Sequence, residues 1–452
     1  MVRFFSKHYL SEDIFPPMVR FFLKHYLRGG HRFRDYLREL ESTEKYTPGE
    51  LDNYQNEKLQ KIIRAAYEGV PYYNKIFHEL KLTPEDIKTK GDLHKLPIIN
   101  KETVRQNFGK FRNTHFRGLV FKALTSGYSG SPSVFLRDMQ SANFENAVVW
   151  RYLGWHGKSY GTKRAFLRGH LIVPAEKNNP PYWKEDPFAK ELWLSSYHLS
   201  EKTLPEYVDV IRRWGYCDLY AYPSMAYLVA DFCRTFHTEL QFSNVFTSSE
   251  KLLPHQRSLI ERTFHCEVAD WYGNAERVAA IGQCEKGSYH EIADYSIVEY
   301  APLDDGGYEI IGTGLHNHVM PLIRYSLGDV IDMDETDERC SCGRSFKRIK
   351  QIVGRQTDYI KTPEGRRISV INLIPWGLDE IREMQIVQNK IEALVVNIVT
   401  DERYNTRTAD KLNEALRRYI SPQMTFIINK VPFIQRTSAC KYRVIIQNIK
   451  DV

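Results

Sequence analysis

From residue 119 onward, short runs of β-branched and aromatic residues alternate with longer stretches of helical character, and that alternation restricts the chain to layered α/β architectures. LVFKALTS, RAFLRG and EVADWYG read as strands, LPEYVDVIRRWG and LPHQRSLIERTF as helices. Between about 50 and 110 the chain is helical and charged: LDNYQNEKLQKIIRAAYEGVPYYNKIF breaks at Gly-Val-Pro, and LPIINKETVRQNF opens another helix. Beyond the charged turn GRQTDYIK, EALVVNIV and MTFIINKV read as strands and RTADKLNEALRRYI as a helix, which makes the last part a small α+β domain. The expected division is a helical extension over 1–45, a large domain over 46–354 and a small domain over 355–452.

Composition narrows the function classes. With 42% hydrophobic and 26% charged residues among 452, the chain is globular and long enough for two or three domains. Lys+Arg number 63 against 56 Asp+Glu, a net charge of +7 spread along the chain. Such a field suits small anions and lacks the basic stripe of a nucleic-acid protein. No apolar run reaches the roughly 18 residues a membrane span needs, and Lys7, His8 and two acids interrupt the N-terminus before a secretory segment forms. The cytoplasm is the expected compartment. Seven cysteines then read as reduced thiols, some available to a metal, rather than as a disulfide framework.

MVRFFSKHYL at 1–10 returns as MVRFFLKHYL at 18–27, identical at nine of ten positions. In the second copy Val19, Phe22, Leu23, Tyr26 and Leu27 share one helical face and Arg20, Lys24 and Arg28 another. Two readings stand: docking on an anionic membrane surface or a partner, and a terminal helix packed on its own domain. LTSGYSGSPSVF at 124–135 is equally double. Its glycines let backbone N–H groups converge on an anion and its hydroxyls add donors, yet the same composition serves a polar turn. No Gly-Lys-Ser/Thr follows it, and Gly312 and Gly314 lack the third glycine of a dinucleotide fingerprint.

Four further motifs follow this loop. Thr125, Ser126, Gly127, Ser129, Gly130 and Pro132 match in register the signature loop of the adenylate-forming ligases, from which Tyr128 and Ser133 depart. WYGNAERVA resembles that family's aromatic-Gly-x-Thr-Glu motif, PLIRYSLGDVIDMD its Tyr-Arg-Thr-Gly-Asp motif, IVGRQTDYIK its hinge motif and QRTSACKYR its Arg-Thr-x-x-Gly-Lys motif. VPYYNKIF, LPIINK, TSSEKLLPHQRSLIE and CSCGR resemble the phenylacetate-CoA ligase branch and its capsular-polysaccharide relatives. The resemblance covers nearly everything after about residue 45.

That resemblance implies an α/β fold in which a large N-terminal adenylate-forming domain carries a small, mobile C-terminal one. The 125–130 loop and Ser249 and Glu250 would serve the nucleotide, Tyr272 would stack on adenine, Gly273 would allow close approach and Asp329 would accept from the ribose hydroxyls. Glu276 would hold magnesium, and Ala275 stands where a hydroxyl normally meets the α-phosphate. Arg355 would touch ribose or phosphate, Thr357 and Asp358 would form the hinge, and Lys441, after Cys440 in a glycine's place, would be the catalytic lysine. The implied reaction is ATP-dependent activation of a carboxylic acid to an acyl-adenylate with release of pyrophosphate, then transfer to coenzyme A or an amine. The competing reading is a non-catalytic scaffold or membrane-docked binding protein that keeps the fold, prompted by Ser133, Ala275, Thr357 and the basic N-terminal helix. Tyr222, Pro223, Ser224, Thr247 and Ser248 are the candidate acid pocket.

Cys284 and His290 with Cys340 and Cys342 could supply four ligands to a structural zinc if the intervening strands form a hairpin. Buried small thiols beside a hydrogen-bonded core histidine explain them equally. His316 and His318 read as alternation at a strand end. The acid, the acceptor and the oligomeric state are open at this stage.

Overall fold

The computed structural model describes residues 31–124 and 134–449, apart from 171, 175, 305, 335, 337–338, 356–358, 366, 369–377, 379 and 438–439. The duplicated segment, the glycine-rich loop from Thr125 to Gly130 and the hinge residues Thr357 and Asp358 lie outside the described residues.

Helix boundaries follow local chemistry. Pro48–Gly69 starts on a reciprocal cap, with Thr47 N donating to Glu50 Oε2 at 2.8 Å and Glu50 N to Thr47 Oγ1 at 3.4 Å. At the Gly-Val-Pro break, extended Val70 closes this helix and opens Pro71–Glu79. Asn100 caps Lys101–Gln106, accepting from Thr103 N at 3.0 Å.

The strands of the large domain are β1 (Val120–Leu124), β2 (Val134–Asp138), β3 (Arg164–Arg168), β4 (Trp183–Asp186), β5 (Glu191–Ser195), β6 (Asp218–Ala221) and β7 (Asn244–Ser248). They continue as β8 (Glu267–Gly273), β9 (Ala280–Gln283), β10 (Tyr289–Glu291), β11 (Ser296–Pro302), β12 (Tyr308–Gly314), β13 (Tyr325–Met333) and β14 (Arg348–Arg355). β1 and β2 pair only with each other, while the rest form one twelve-stranded sheet in the order β11-β12-β13-β14-β10-β9-β8-β7-β6-β3-β5-β4. Its middle, β5-β3-β6-β7-β8, is parallel. Helices Leu204–Trp214, Pro223–Thr235 and Pro254–Phe264 connect these strands, and β6 and β7 are buried at every position, as a covered parallel sheet demands.

Helix His31–Thr43 is integral to the large domain, although it falls within the 1–45 extension of the sequence reading. Phe33 and Leu40 join Phe144, Tyr152 and Tyr220 in its core. Asp294 then receives Arg151 Nη2 at 2.8 Å, Arg151 Nη1 and the Thr43 hydroxyl, and Arg151 Nη1 also donates to Leu40 O at 3.0 Å. The Arg151 and Asp294 side chains are 2% and 0% exposed, so this pair ties three distant segments together in the interior.

Beyond β15 (Ile360–Lys361) and β16 (Arg367–Ile368), the described residues of the small domain form a four-stranded sheet and the helix Thr406–Tyr419. β17 (Ile381–Lys390), β18 (Ala393–Thr400), β19 (Thr425–Lys430) and β20 (Ile445–Gln447) order as β19-β18-β17-β20. Leu412 and Leu416 pack on Ile386, Val396 and Ile398 in a core of its own. No described helix is long and apolar enough to cross a membrane.

Candidate active site

Parallel strands place their carboxyl ends on one edge of a sheet, where α/β folds build their sites. Arg168 ends β3, Tyr222 follows β6, Ser248 ends β7 and Tyr272 lies next to the last residue of β8. The antiparallel wing adds Asp329 on β13 and Arg355 on β14, which face each other in register.

These side chains form a connected cluster. Tyr272 Oη donates to Asp329 Oδ2 at 2.6 Å, and Arg355 Nε donates to Asp329 Oδ1 at 2.7 Å. Tyr325 Oη donates to Glu276 Oε1 at 3.3 Å. Burial pushes both carboxyls, Asp329 and Glu276, above the usual carboxylate range, with the Arg355 guanidinium opposing it. Gly273 sits where an added Cβ would come within 2.9 Å of Trp271 Nε1.

Lys441 arrives from the small domain. Its turn is held by Thr437, whose Oγ1 accepts from Lys441 N at 3.1 Å and whose N donates to Lys441 O at 2.9 Å. Next to it, Tyr442 anchors on β17, where its Oη accepts from Met384 N at 3.2 Å and donates to Met384 O. The large domain reaches back through Glu250: one oxygen accepts from Tyr442 N at 2.6 Å, the other from Ser224 N at 3.1 Å. Glu250 therefore bridges the two domains through backbone amides, where the sequence placed it on the nucleotide.

Lys441 Nζ lies 5.9 Å from the Tyr222 ring centre. Burial lowers its pKa, Glu250 opposes the shift, Arg355 and Arg168 add to it, and Asp329 opposes it. Cys440 is buried in the large-domain core with a left-handed φ of 58°, the conformation that explains a glycine at this place in the motif.

Other predicted residues are engaged differently. Thr247, at the end of β7, is buried and donates to Asp270 Oδ1 at 2.6 Å, a cross-strand bond within the sheet. Ser249 is exposed with a φ of 72°. Pro223 and Ser224 form the first turn of their helix. His316 and His318 lie past the end of β12, in a loop rather than a strand; His316 stacks on Phe144 with ring centres 3.4 Å apart and donates from Nε2 to Asp294 O at 3.1 Å. Arg168 was not singled out by any motif; its signal was a cation closing the apolar run AFL.

A second constellation lies on the antiparallel wing. The β9–β10 hairpin forms, pairing Gln283 with Tyr289, and brings Cys284 and His290 to the turn carrying Cys340 and Cys342. The four ligand atoms lie within 4.8 Å of one another, with Cys284 Sγ 3.8 Å from Cys340 Sγ and Cys342 Sγ 3.5 Å from His290 Nε2. A tetrahedral ion with Zn–S bonds of about 2.3 Å requires sulfur atoms roughly 3.8 Å apart. His290 Nδ1 donates to Phe346 O at 3.0 Å, which turns Nε2 toward the cluster.

In fold the chain matches a solved CoA ligase, 2-hydroxyisobutyryl-CoA ligase. In sequence it is similar to CapK of Staphylococcus aureus, at 25% identity over 410 residues covering 89% of this chain and 90% of CapK. It is also similar to the phenylacetate-coenzyme A ligase of Aromatoleum evansii, at 25% identity over 360 residues covering 76% of this chain and 78% of that protein. The family model described as the CapK C-terminal domain matches residues 360–448. Among solved structures, 2-hydroxyisobutyryl-CoA ligase in its postadenylation state superposes with a TM-score of 0.70 at 17% identity, covering 90% of this chain and 91% of that one. The same ligase in its thioesterification state gives 0.54.

Proposed function

We propose that this protein activates a small carboxylic acid with ATP, forming an acyl-adenylate and pyrophosphate, and then transfers the acyl group to the thiol of coenzyme A. The observation that carries this reading is the arrival of Lys441, from the small domain, in the electrostatic range of Asp329 and Arg355 on the large one. A surface lysine would have no such company.

In this reading Asp329 accepts from the ribose, Tyr272 supplies a ring for the base and Arg355 neutralises phosphate charge. Lys441 bridges the attacking carboxylate and the α-phosphate, where two anions must meet. Glu276 has the chemistry to hold a magnesium ion, a withdrawn carboxylate with one hydroxyl donor at 3.3 Å, and that ion would offset charge gathering on pyrophosphate. The better superposition on a postadenylation structure than on a thioesterification one supports a first-step arrangement of the domains. A swing at Thr357 and Asp358 would then withdraw Lys441 and admit the acceptor. The test is ATP/pyrophosphate exchange across a panel of acids, followed by a thiol or amine acceptor: exchange stimulated by one acid supports the ligase, and silence without ATP binding favours a scaffold.

The withdrawn lysine sets the alkaline limb of that exchange. Lys441 works charged, so activity is present below its pKa and lost above it. The limb is expected below the lysine value of 10.5, since burial, Arg355 and Arg168 outweigh Glu250 and Asp329. A pH profile falling only above 10.5 would remove Lys441 from that role.

The four-ligand cluster is proposed to hold one structural zinc. Protein purified without chelator is expected to contain one equivalent, and Cys340→Ser to lose it along with thermal stability while exchange in the surviving folded fraction persists. Less than half an equivalent would count against the site.

A further inference from the structure

We propose that Arg168 recognises a second anionic group on the acid, so that the substrate class is an acid bearing a further carboxylate, phosphate or sulfate rather than a plain aryl or alkyl acid. The inference rests on the ligase reading above.

Other arginines around this sheet have carboxylate partners. On the same strand, Arg164 Nη2 meets Glu191 Oε1 at 2.7 Å; Arg355 has Asp329 at 2.7 Å, Arg324 has Glu299 at 2.9 Å, and Arg151 has Asp294. Arg168, four residues beyond Arg164, has no carboxylate partner among the described residues. Its guanidinium donates to the neutral hydroxyl of Ser248, and its other electrostatic neighbours are the rings of Tyr222 and Tyr220 and the cation Lys441. Among the described residues, its five N–H donors thus face one neutral acceptor, in surroundings dry enough that burial lowers even a guanidinium's pKa.

Position assigns the missing acceptor to the acid. Arg168 closes β3 at the carboxyl edge, and Ser248, to which it donates, and Tyr222, within its electrostatic range, both belong to the candidate acid pocket read from the sequence. Lys441 stands over the Tyr222 ring and is committed to the reacting carboxylate. A guanidinium fork beside it suits a separate oxyanion, carboxylate, phosphate or sulfate, two of whose oxygens it can hold through parallel N–H···O bonds.

The experiment pairs plain acids with counterparts of the same skeleton carrying a second carboxylate, a phosphate or a sulfate, in ATP/pyrophosphate exchange and in calorimetric binding. Wild type is expected to prefer one second-anion series, which names the group. Arg168→Met should raise KM for that series at least tenfold, the scale of one charge-assisted bond, while leaving KM for ATP unchanged. Arg168→Lys, which keeps the charge but not the fork, should fall between, and an unchanged urea-unfolding midpoint reports that both variants are folded. Wild type that handles plain acids as well as their counterparts overturns the inference, as does an equal loss for both series, which would put Arg168 on the reacting carboxylate or ATP. If no acid supports exchange and ATP does not bind, the ligase reading fails, and the calorimetric preference and its loss in Arg168→Met still decide the role of Arg168.

Discussion

Replacing Lys441 with alanine is expected to lower acid-dependent ATP/pyrophosphate exchange by roughly three decades while sparing acyl transfer from a supplied acyl-adenylate. A cation about 4 Å from a unit negative charge gains on the order of 4 kcal/mol at an effective dielectric near 20, and stabilisation felt only in the transition state appears wholly in the rate. The selectivity of the loss follows from geometry. Lys441 sits on a small domain whose anchors on the large one include the Glu250 carboxylate between Ser224 N and Tyr442 N and the pairing of Arg382 with Asp231. A step performed with that contact released has no use for Lys441. Equal loss of both steps would sink the division of labour, and unchanged exchange would return Lys441 to an interface role.

Asp294→Ala is expected to destabilise the large domain by about 3–5 kcal/mol, because it strands the Arg151 guanidinium in the interior without its counter-charge. The Thr43 hydroxyl would lose its acceptor as well, detaching the end of helix His31–Thr43 from the body. Urea unfolding followed by tryptophan fluorescence reads this directly, since Trp150 and Trp155 share a helix with Arg151. Asp294→Asn, which retains shape and one acceptor, should cost less. A loss below about 1 kcal/mol would mean that the pair behaves as a surface ion pair.

How far each of these features could be read in advance depends on how local its cause is. Strands such as β3 and β8 and helices such as Pro48–Gly69 follow from apolar spacing and from caps a few residues away, so the sequence already marks them. The Arg151–Asp294 pair joins residues 143 apart, and nothing near either marks the other as its partner. The cysteine cluster stood between these cases: the ligand types were legible, but their meeting depended on the β9–β10 hairpin and on the turn before β14.

The site divides in the same way. Tyr272, Glu276, Asp329, Arg355 and Lys441 could be singled out because they lie in short motifs in a fixed order along the chain. Their convergence, the place of Glu250 between backbone amides of both domains and the lack of a carboxylate partner for Arg168 among the described residues were decided by tertiary structure alone. The physical reason is burial. A side chain's type is written in the sequence, but whether its charge is paired, solvated or left facing a pocket depends on which distant strands close around it.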